Sequence, residues 1–283
     1  MSYFHFECSD TYVHHTLDEI PDKSSFPMHV HEHNELYLFL KGRCSFFVEG
    51  RRYPLVPGSL ILLRAGETHR IQILEDTPYE RMAIHFSDRL ISEVDPQMRI
   101  LNTLFHGELG KNNLYDPKQF NTHLIHNALL SISKSGRNKE LDEYEGKMLI
   151  RCNLLPVLYE LCKNTNQHKA EPIKSYADSA VTKAISYINA NLTKELSLSQ
   201  IAELCFSEKS YLNNQFKKFT GSTIWDYIII KRLMLARQLI KDGVSASAAA
   251  YSSGWKDYSS FYRQYKAKFG VHPSCKEKNI YIR

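Results

Sequence analysis

The chain has 283 residues, 43% hydrophobic and 24% charged, with a formal net charge of +5 at pH 7, a length that predicts two units with separate cores and a composition with no tract biased toward disorder. No apolar run approaches the ~20 residues a membrane-spanning helix needs, and the opening "MSYFHFECSD" lacks a basic region followed by an apolar core, so neither a membrane partner nor an export signal is expected. The six cysteines contain no C-x-x-C pair, which favours a reducing compartment, the cytoplasm, over disulfides or a cysteine-zinc site.

Charge is uneven along the chain. Residues 171–283 carry 17 Lys and Arg against 9 Asp and Glu, net +8, whereas residues 1–170 carry 19 against 22, net −3. Such asymmetry fits a polyanion-binding module joined to a near-neutral one, and also a merely solvated basic face.

Residues 35 to 86 read as strands. "ELYLFL", "CSFFVEG", "RRYPLVP", "SLILLR", "HRIQIL" and "ERMAIHF" are short, rich in aromatic or branched residues, and separated by Gly, Pro or charged turns. Their even spacing predicts a closed antiparallel barrel or a sandwich. Within "MHVHEHNELYLFLKG", His29, His31 and Glu35 share the parity of one face of an extended segment, a parity that also admits His33, and His69 follows "SLILLRAGET". This set resembles the two cupin motifs, in which histidines and a glutamate surround a metal inside a small barrel. Arg64 stands where those motifs usually have proline. Three readings stay open for His29, His31, Glu35 and His69: ligands of a divalent metal, whose identity spacing cannot choose; polar groups lining an effector pocket; or structural histidines. No cofactor is required by the pattern.

From about residue 96 the pattern turns helical. In 141–163, Leu141, Tyr144, Met148, Cys152, Leu155, Leu158 and Cys162 recur at helical steps, a stripe able to pack on the barrel or on a twin in a homodimer, with Pro156 expected to kink or break it. "NTNQHKAEPIKS" is polar and contains a proline. The chain is therefore divided into an effector-sensing unit, 1–163, a linker, 164–177, and an all-α unit, 178–283.

The second unit says one thing twice. "LSLSQIAEL" and "SYLNNQFKKF" form two short helices around a tight turn, with Leu198, Ile201, Ala202 and Leu204 on one buried face and Tyr211, Leu212, Phe216 and Phe219 on the other. Ala246, Ala249 and Ala250 repeat Leu198, Ile201 and Ala202 48 residues later, and Phe261, Tyr265, Lys266 and Gly270 repeat Leu212, Phe216, Lys217 and Gly221 49 residues later. The second turn has thus gained one residue. Asp257 is the expected N-cap of the later second helix and Ser207 of the earlier one; Gly221 and Gly270 fit helix C-termini. "IWDYIIIKRLMLARQLI" joins the copies. Two readers on a stiff strut can enter successive major-groove faces ~34 Å apart. Ser210, Asn213 and Asn214 in the first copy, and Ser259, Tyr262 and Arg263 in the second, are placed to face base edges; Lys217, Lys218, Lys266 and Lys268 are placed to meet phosphates.

Residues 180 to 275, through "SYLNNQFKKFTG", "YIIIKRLMLARQLI" and "GWKDYSSFYRQYKAKFGVHP", resemble the DNA-binding domain of AraC-type (AraC/XylS) transcription regulators. The resemblance implies an α+β protein of two domains, an N-terminal cupin-like antiparallel barrel with following helices and a C-terminal domain of two helix-turn-helix motifs. It implies a sequence-specific regulator, not an enzyme, that senses a sugar or related metabolite beneath an N-terminal arm around Tyr3 to Tyr12, with double-stranded DNA, RNA polymerase and a second copy as partners. The rival is a metal-dependent cupin enzyme with an accessory basic domain, which accounts for the histidines but not for the repeat.

Overall fold

In chain order the N-terminal half forms β1 (Ser2–Glu7), β2 (Thr11–Asp18), β3 (Val30–His31), β4 (Asn34–Lys41), β5 (Cys44–Val48), β6 (Arg51–Pro54), β7 (Leu60–Leu63), β8 (His69–Ile73) and β9 (Tyr79–Phe86). Helices α1 (Asp88–Ser92) and α2 (Arg99–Phe105), strand β10 (Leu114–Tyr115), and helices α3 (Thr122–Gly136) and α4 (Glu143–Gln167) follow. This is a computed structural model that describes residues 1–8, 10–137, 139–167, 180–275 and 281–282. The six strands expected between 35 and 86 are all present. The segment expected as an arm, Tyr3 to Tyr12, instead forms most of the β1–β2 hairpin, and β2 pairs with β9 over its whole length.

The strands form two principal sheets. The larger has the order β1-β2-β9-β4-β7-β10, the smaller β6-β5-β8. Their facing sides share a core of Tyr37, Phe39, Phe46, Val48, Ile61, Leu63 and Tyr79. On its other side the larger sheet contributes Leu36, Leu38, Leu62 and Ile84 to a core completed by α1 to α4. The sheets do not close into a barrel, so the cupin-like barrel is corrected to an open two-sheet arrangement. Closure needs one tilted, continuous ladder around the axis. Here the ladder is interrupted after Gly42, where the backbone takes a φ of 121°, and among the described residues β5 pairs with β6 and β8 alone.

Helix α4 buries Ile150, Leu154, Val157, Leu158 and Leu161, while Tyr144 and Met148 are exposed at 72% and 37%. The buried stripe is therefore rotated by about one position from the expected one, with aliphatic residues facing the core and Tyr144, Met148 and Cys152 facing out. The helix runs through Pro156 without a break. Of the expected linker, residues 164 to 167 continue α4, and the remainder lies outside the described residues.

The C-terminal half is helical: α5 (Ala180–Ala190), α6 (Leu198–Leu204), α7 (Lys209–Thr220), α8 (Ile224–Lys241), α9 (Ala246–Ser252) and α10 (Tyr258–Phe269). A last short strand, β11 (Tyr281–Ile282), pairs with β3. Each reader has its own core. Ile201, Leu212 and Phe216 pack with α5 and the start of α8; Ala249, Ala250, Phe261 and Tyr265 pack with the end of α8. Side-chain caps fix the helix starts: Ser197 forms a capping box with Gln200, and Ser245 and Asp257 each accept from a backbone amide three residues on.

Candidate functional site

The repeat places its second helices, α7 and α10, with one face anchored and the other free. Leu212, Phe216, Phe261 and Tyr265 are fully buried. On the opposite faces Ser210, Asn214, Lys217, Lys218, Ser259, Arg263 and Lys266 are exposed, and Tyr262 is half-buried. Asn213 is also half-buried, and its side-chain oxygen accepts from the Ile224 amide at 3.0 Å, where it helps to start α8. Two expected core residues belong to the surface: Leu204 is 44% exposed and Tyr211 60%. Tyr211 precedes the anchor Leu212 by one residue and so lies about 100° around the helix. Glu208, not Ser207, occupies the N-cap position of α7 and makes no side-chain cap bond. Both C-caps, Gly221 and Gly270, take positive φ as expected, 90° and 69°.

The two turns begin alike, and the extra residue of the second falls after the shared left-handed position. Phe206 adopts a left-handed φ of 51°, and Gly254, 48 residues later, adopts 92°. Phe206 is 94% exposed, so little packing offsets its conformation.

Within the sheets, His31, Glu35 and His69 come together. One donor atom from each lies within 4.8 Å of the others, and all three residues are buried, a group able to hold a metal ion. His31 Nε2 is 2.9 Å and His69 Nε2 3.4 Å from the same carboxylate oxygen, Glu35 Oε2. His29 flanks the group, its ring centroid 4.1 Å from that of His69, and the two backbones bond reciprocally. His33 contributes its carbonyl, which receives His31 Nδ1 at 2.8 Å. His85, absent from the expected set, lies opposite Glu35 in the β4–β9 register with Nε2 3.6 Å from Glu35 Oε2. Its signal was the parity of "ERMAIHF", which sets Ala83 and His85 on one face. Burial lowers the pKa of His31 and His85. For Glu35 burial opposes ionisation, but the facing His85 and the bonds with His31 and His69 outweigh it and hold the carboxyl well below the usual range.

A buried polar junction joins the halves, and sequence reasoning missed it. The β5–β6 turn is Glu49-Gly50, both at positive φ, 47° and 75°, the geometry of a tight two-residue hairpin. It drives the Glu49 carboxylate into the helical half, where Lys231 Nζ approaches at 3.0 Å, Asn189 Nδ2 donates at 2.7 Å and the Tyr227 hydroxyl donates as well. Thr68 donates to the same carboxylate through its amide at 2.6 Å and its hydroxyl at 3.1 Å. Burial would raise the Glu49 pKa, but the Lys231 charge and these bonds lower it. A second pairing sets Glu32 against Arg237 at 3.3 Å and Lys241 at 2.7 Å. Lys231, Arg237 and Lys241 all belong to α8, the strut between the readers.

Comparison with known proteins follows the same division. Residues 15–97 match the AraC-like ligand binding domain model, and residues 187–278 match a helix-turn-helix domain model. The chain is 24% identical over 261 residues to the probable transcriptional regulator LumQ of Photobacterium leiognathi, covering 90% of this chain and 93% of that one. It is also 24% identical over 251 residues to the XylDLEGF operon transcriptional activator 1 of Pseudomonas putida, covering 84% and 73%. Among solved structures, ToxT from Vibrio cholerae aligns over 94% of this chain and 97% of its own, at 15% identity and a TM-score of 0.38. No helix of the described residues is long and apolar enough to cross a membrane.

Proposed function

Taking the chain as a sequence-specific DNA-binding transcription regulator of the AraC/XylS type, we propose that its two-sheet half senses a small ligand and passes the result to the readers through α8. The relatives named for it are transcriptional regulators, which supports a regulator over the metal-dependent enzyme. One observation carries the reading of the helical half: the same anchored helix is built twice, with polar and basic side chains on the free face each time. Asn214 is suited to adenine, Arg263 to guanine, and Ser210 and Ser259 to several base edges. Lys217, Lys218 and Lys266 supply phosphate contacts, which fix position without reading sequence.

For the sheet half, His29, His31, Glu35 and His69 are proposed as the sensing centre. There the fold buries His31, Glu35 and His69 together on the inner sheet face, with His29 half-buried beside them. A cytoplasmic regulator that works as a homodimer and contacts RNA polymerase accords with this reading and with the relatives named as transcriptional activators.

The test is selection of duplexes from a random pool by the full chain, followed by titration at several salt concentrations. The reading expects a selected sequence to bind at least 1,000-fold tighter than a scrambled one, as ~10³ to 10⁷ is typical of specific binders. Affinity should also fall steeply and linearly in log-log salt. Equal affinity for selected and scrambled duplexes would overturn it.

A further inference from the structure

The two readers share their anchors but not their turns. At the first, Leu204 closes α6, Phe206 occupies the turn and Tyr211 stands in the opening turn of α7, and all three are exposed. The second reader, aligned at 48 residues before the inserted position and 49 after it, has Ser252, Gly254 and Ser260 at the same places. It folds around its own core with no apolar side chain at any of them. The apolar trio is therefore no requirement of the helix-turn-helix, and it joins neither core of the helical half.

Phe206 is the costliest of the three. Its left-handed φ disfavours any residue with a Cβ, whereas the aligned Gly254 takes the same region freely. The ring is almost fully exposed, so no burial offsets that cost. Residues held in such conformations cluster where a chain meets its ligand.

The neighbours of the trio say what that ligand is. Tyr211 and Asn214 stand three residues apart on α7 and share its free face, with Ser210 beside them and Lys218 one turn beyond Asn214. Phe206 comes two residues before Glu208, the N-cap of that helix, and the N-terminal residues of a recognition helix are the ones that reach base edges. The trio thus continues the DNA-reading face. In the major groove one base alone presents an apolar group, the ring methyl of thymine, and apolar side chains contact it. Asn214 is suited to adenine, the other base of the same pair.

We propose that Phe206 and Tyr211, flanked by Leu204, read thymine methyl groups in the half-site of the first reader. The inference rests on the reading of the helical half as a DNA reader and adds a polarity to it. The first half-site carries A·T pairs, recognised by the apolar patch and Asn214. In the second, small residues replace the patch and Arg263 stands at the place of Asn214, a set that answers to guanine. The half-sites are not interchangeable, so a chain lies on its site in one direction.

A duplex selected by the full chain supplies the test. Every thymine of the site is replaced in turn by deoxyuridine, which deletes the methyl and keeps each hydrogen-bonding group. At least one replacement is expected to weaken wild-type binding about fourfold, the worth of one buried carbon group. The sensitive thymines should fall in one half-site, the one whose preferences survive Arg263→Ala. Phe206→Gly and Tyr211→Ser, each taking the residue of the second reader, are then combined, and the double variant is expected to bind thymine and uracil duplexes alike. Wild-type binding indifferent to every replacement, or a selected site without thymine, overturns the methyl contact. So does a double variant that still tells thymine from uracil as wild type does. Unchanged affinity of the double variant for every duplex assigns the patch to a protein partner and overturns the proposal as well. The wild-type replacements need no variant, so they decide the matter even if the double variant misfolds. Equal binding of selected and scrambled duplexes is a separate failure, that of the DNA reading itself, and takes the proposal with it.

Discussion

Glu49 is a residue on which the two halves meet, and its buried charge is matched by Lys231 and by donors from Asn189, Tyr227 and Thr68. Removing one partner of a buried ion pair costs about 3 to 5 kcal/mol because the other is left uncompensated. Glu49→Ala is expected to destabilise the chain by that order, and Lys231→Met added to it to recover part of the loss, a coupling that urea denaturation of the double-mutant cycle measures. Additive losses would mean that the pair does not act as a unit. The pKa of Glu49 lies below its ordinary 4.5. Its contribution is therefore fully present above that value and disappears as pH falls through the lower, folded one. Opening of the junction in acid, followed by limited proteolysis, should begin below pH 4.5 in the wild type and be already present at neutral pH in Glu49→Ala. At Phe206 the sign reverses. A left-handed conformation costs a non-glycine residue ~1 to 2 kcal/mol, so Phe206→Gly should stabilise by roughly 1 kcal/mol after the entropy that glycine forfeits, read as a rise in melting temperature. Arg263, exposed on α10, is expected to discriminate one base pair. Arg263→Ala should relax preference there by ~1 to 3 kcal/mol, and a uniform loss over all sequences would remove it from the base-reading set.

At the scale of elements, what the sequence showed and what it hid divide by the range of the interaction. Strand and helix segments are set by local alternation, turn residues and caps, and the strands from 35 to 86 and both helix-turn-helix units were legible from those. Asp257, Gly221 and Gly270 sit where capping chemistry placed them. Sheet closure was not legible, because it depends on which strands pair across the chain; β5 chooses β6 and β8, and no composition of β5 dictates that choice. The same limit hid His85, whose role follows from the register of β4 against β9. The junction was hidden for another reason: "VEGRRY" reads as an ordinary turn, and only the helical half reveals that its glutamate is buried. Gly50 makes the point testable. A Cβ there would lie 2.3 Å from Ile185 Cδ1, at a φ of 75°. Gly50→Val is expected to open the β5–β6 turn away from α5, exposing the interface to protease while each half keeps its circular-dichroism signature. An unchanged digestion pattern would show that the contact is loose.

For the whole molecule, α8 is the element on which everything bears. Its 18 residues span roughly 27 Å at 1.5 Å per residue. It packs into both reader cores, through Ile224 and Ile228 at one end and Leu233 and Ile240 at the other. It also accepts both charged contacts from the sheets. A ligand in the sheets can shift DNA affinity only if it binds the docked and released arrangements unequally, and β3 and the Glu49 turn are the contacts through which that difference would be felt. The account stands or falls on both readers engaging one duplex from this strut. Hydroxyl-radical footprinting of the full chain on a selected duplex measures it. The account predicts two protected stretches on one face, their centres ~10 base pairs apart, with the stretch read by α10 lost in Arg263→Ala. A single short protected stretch, unchanged by that substitution, would contradict it.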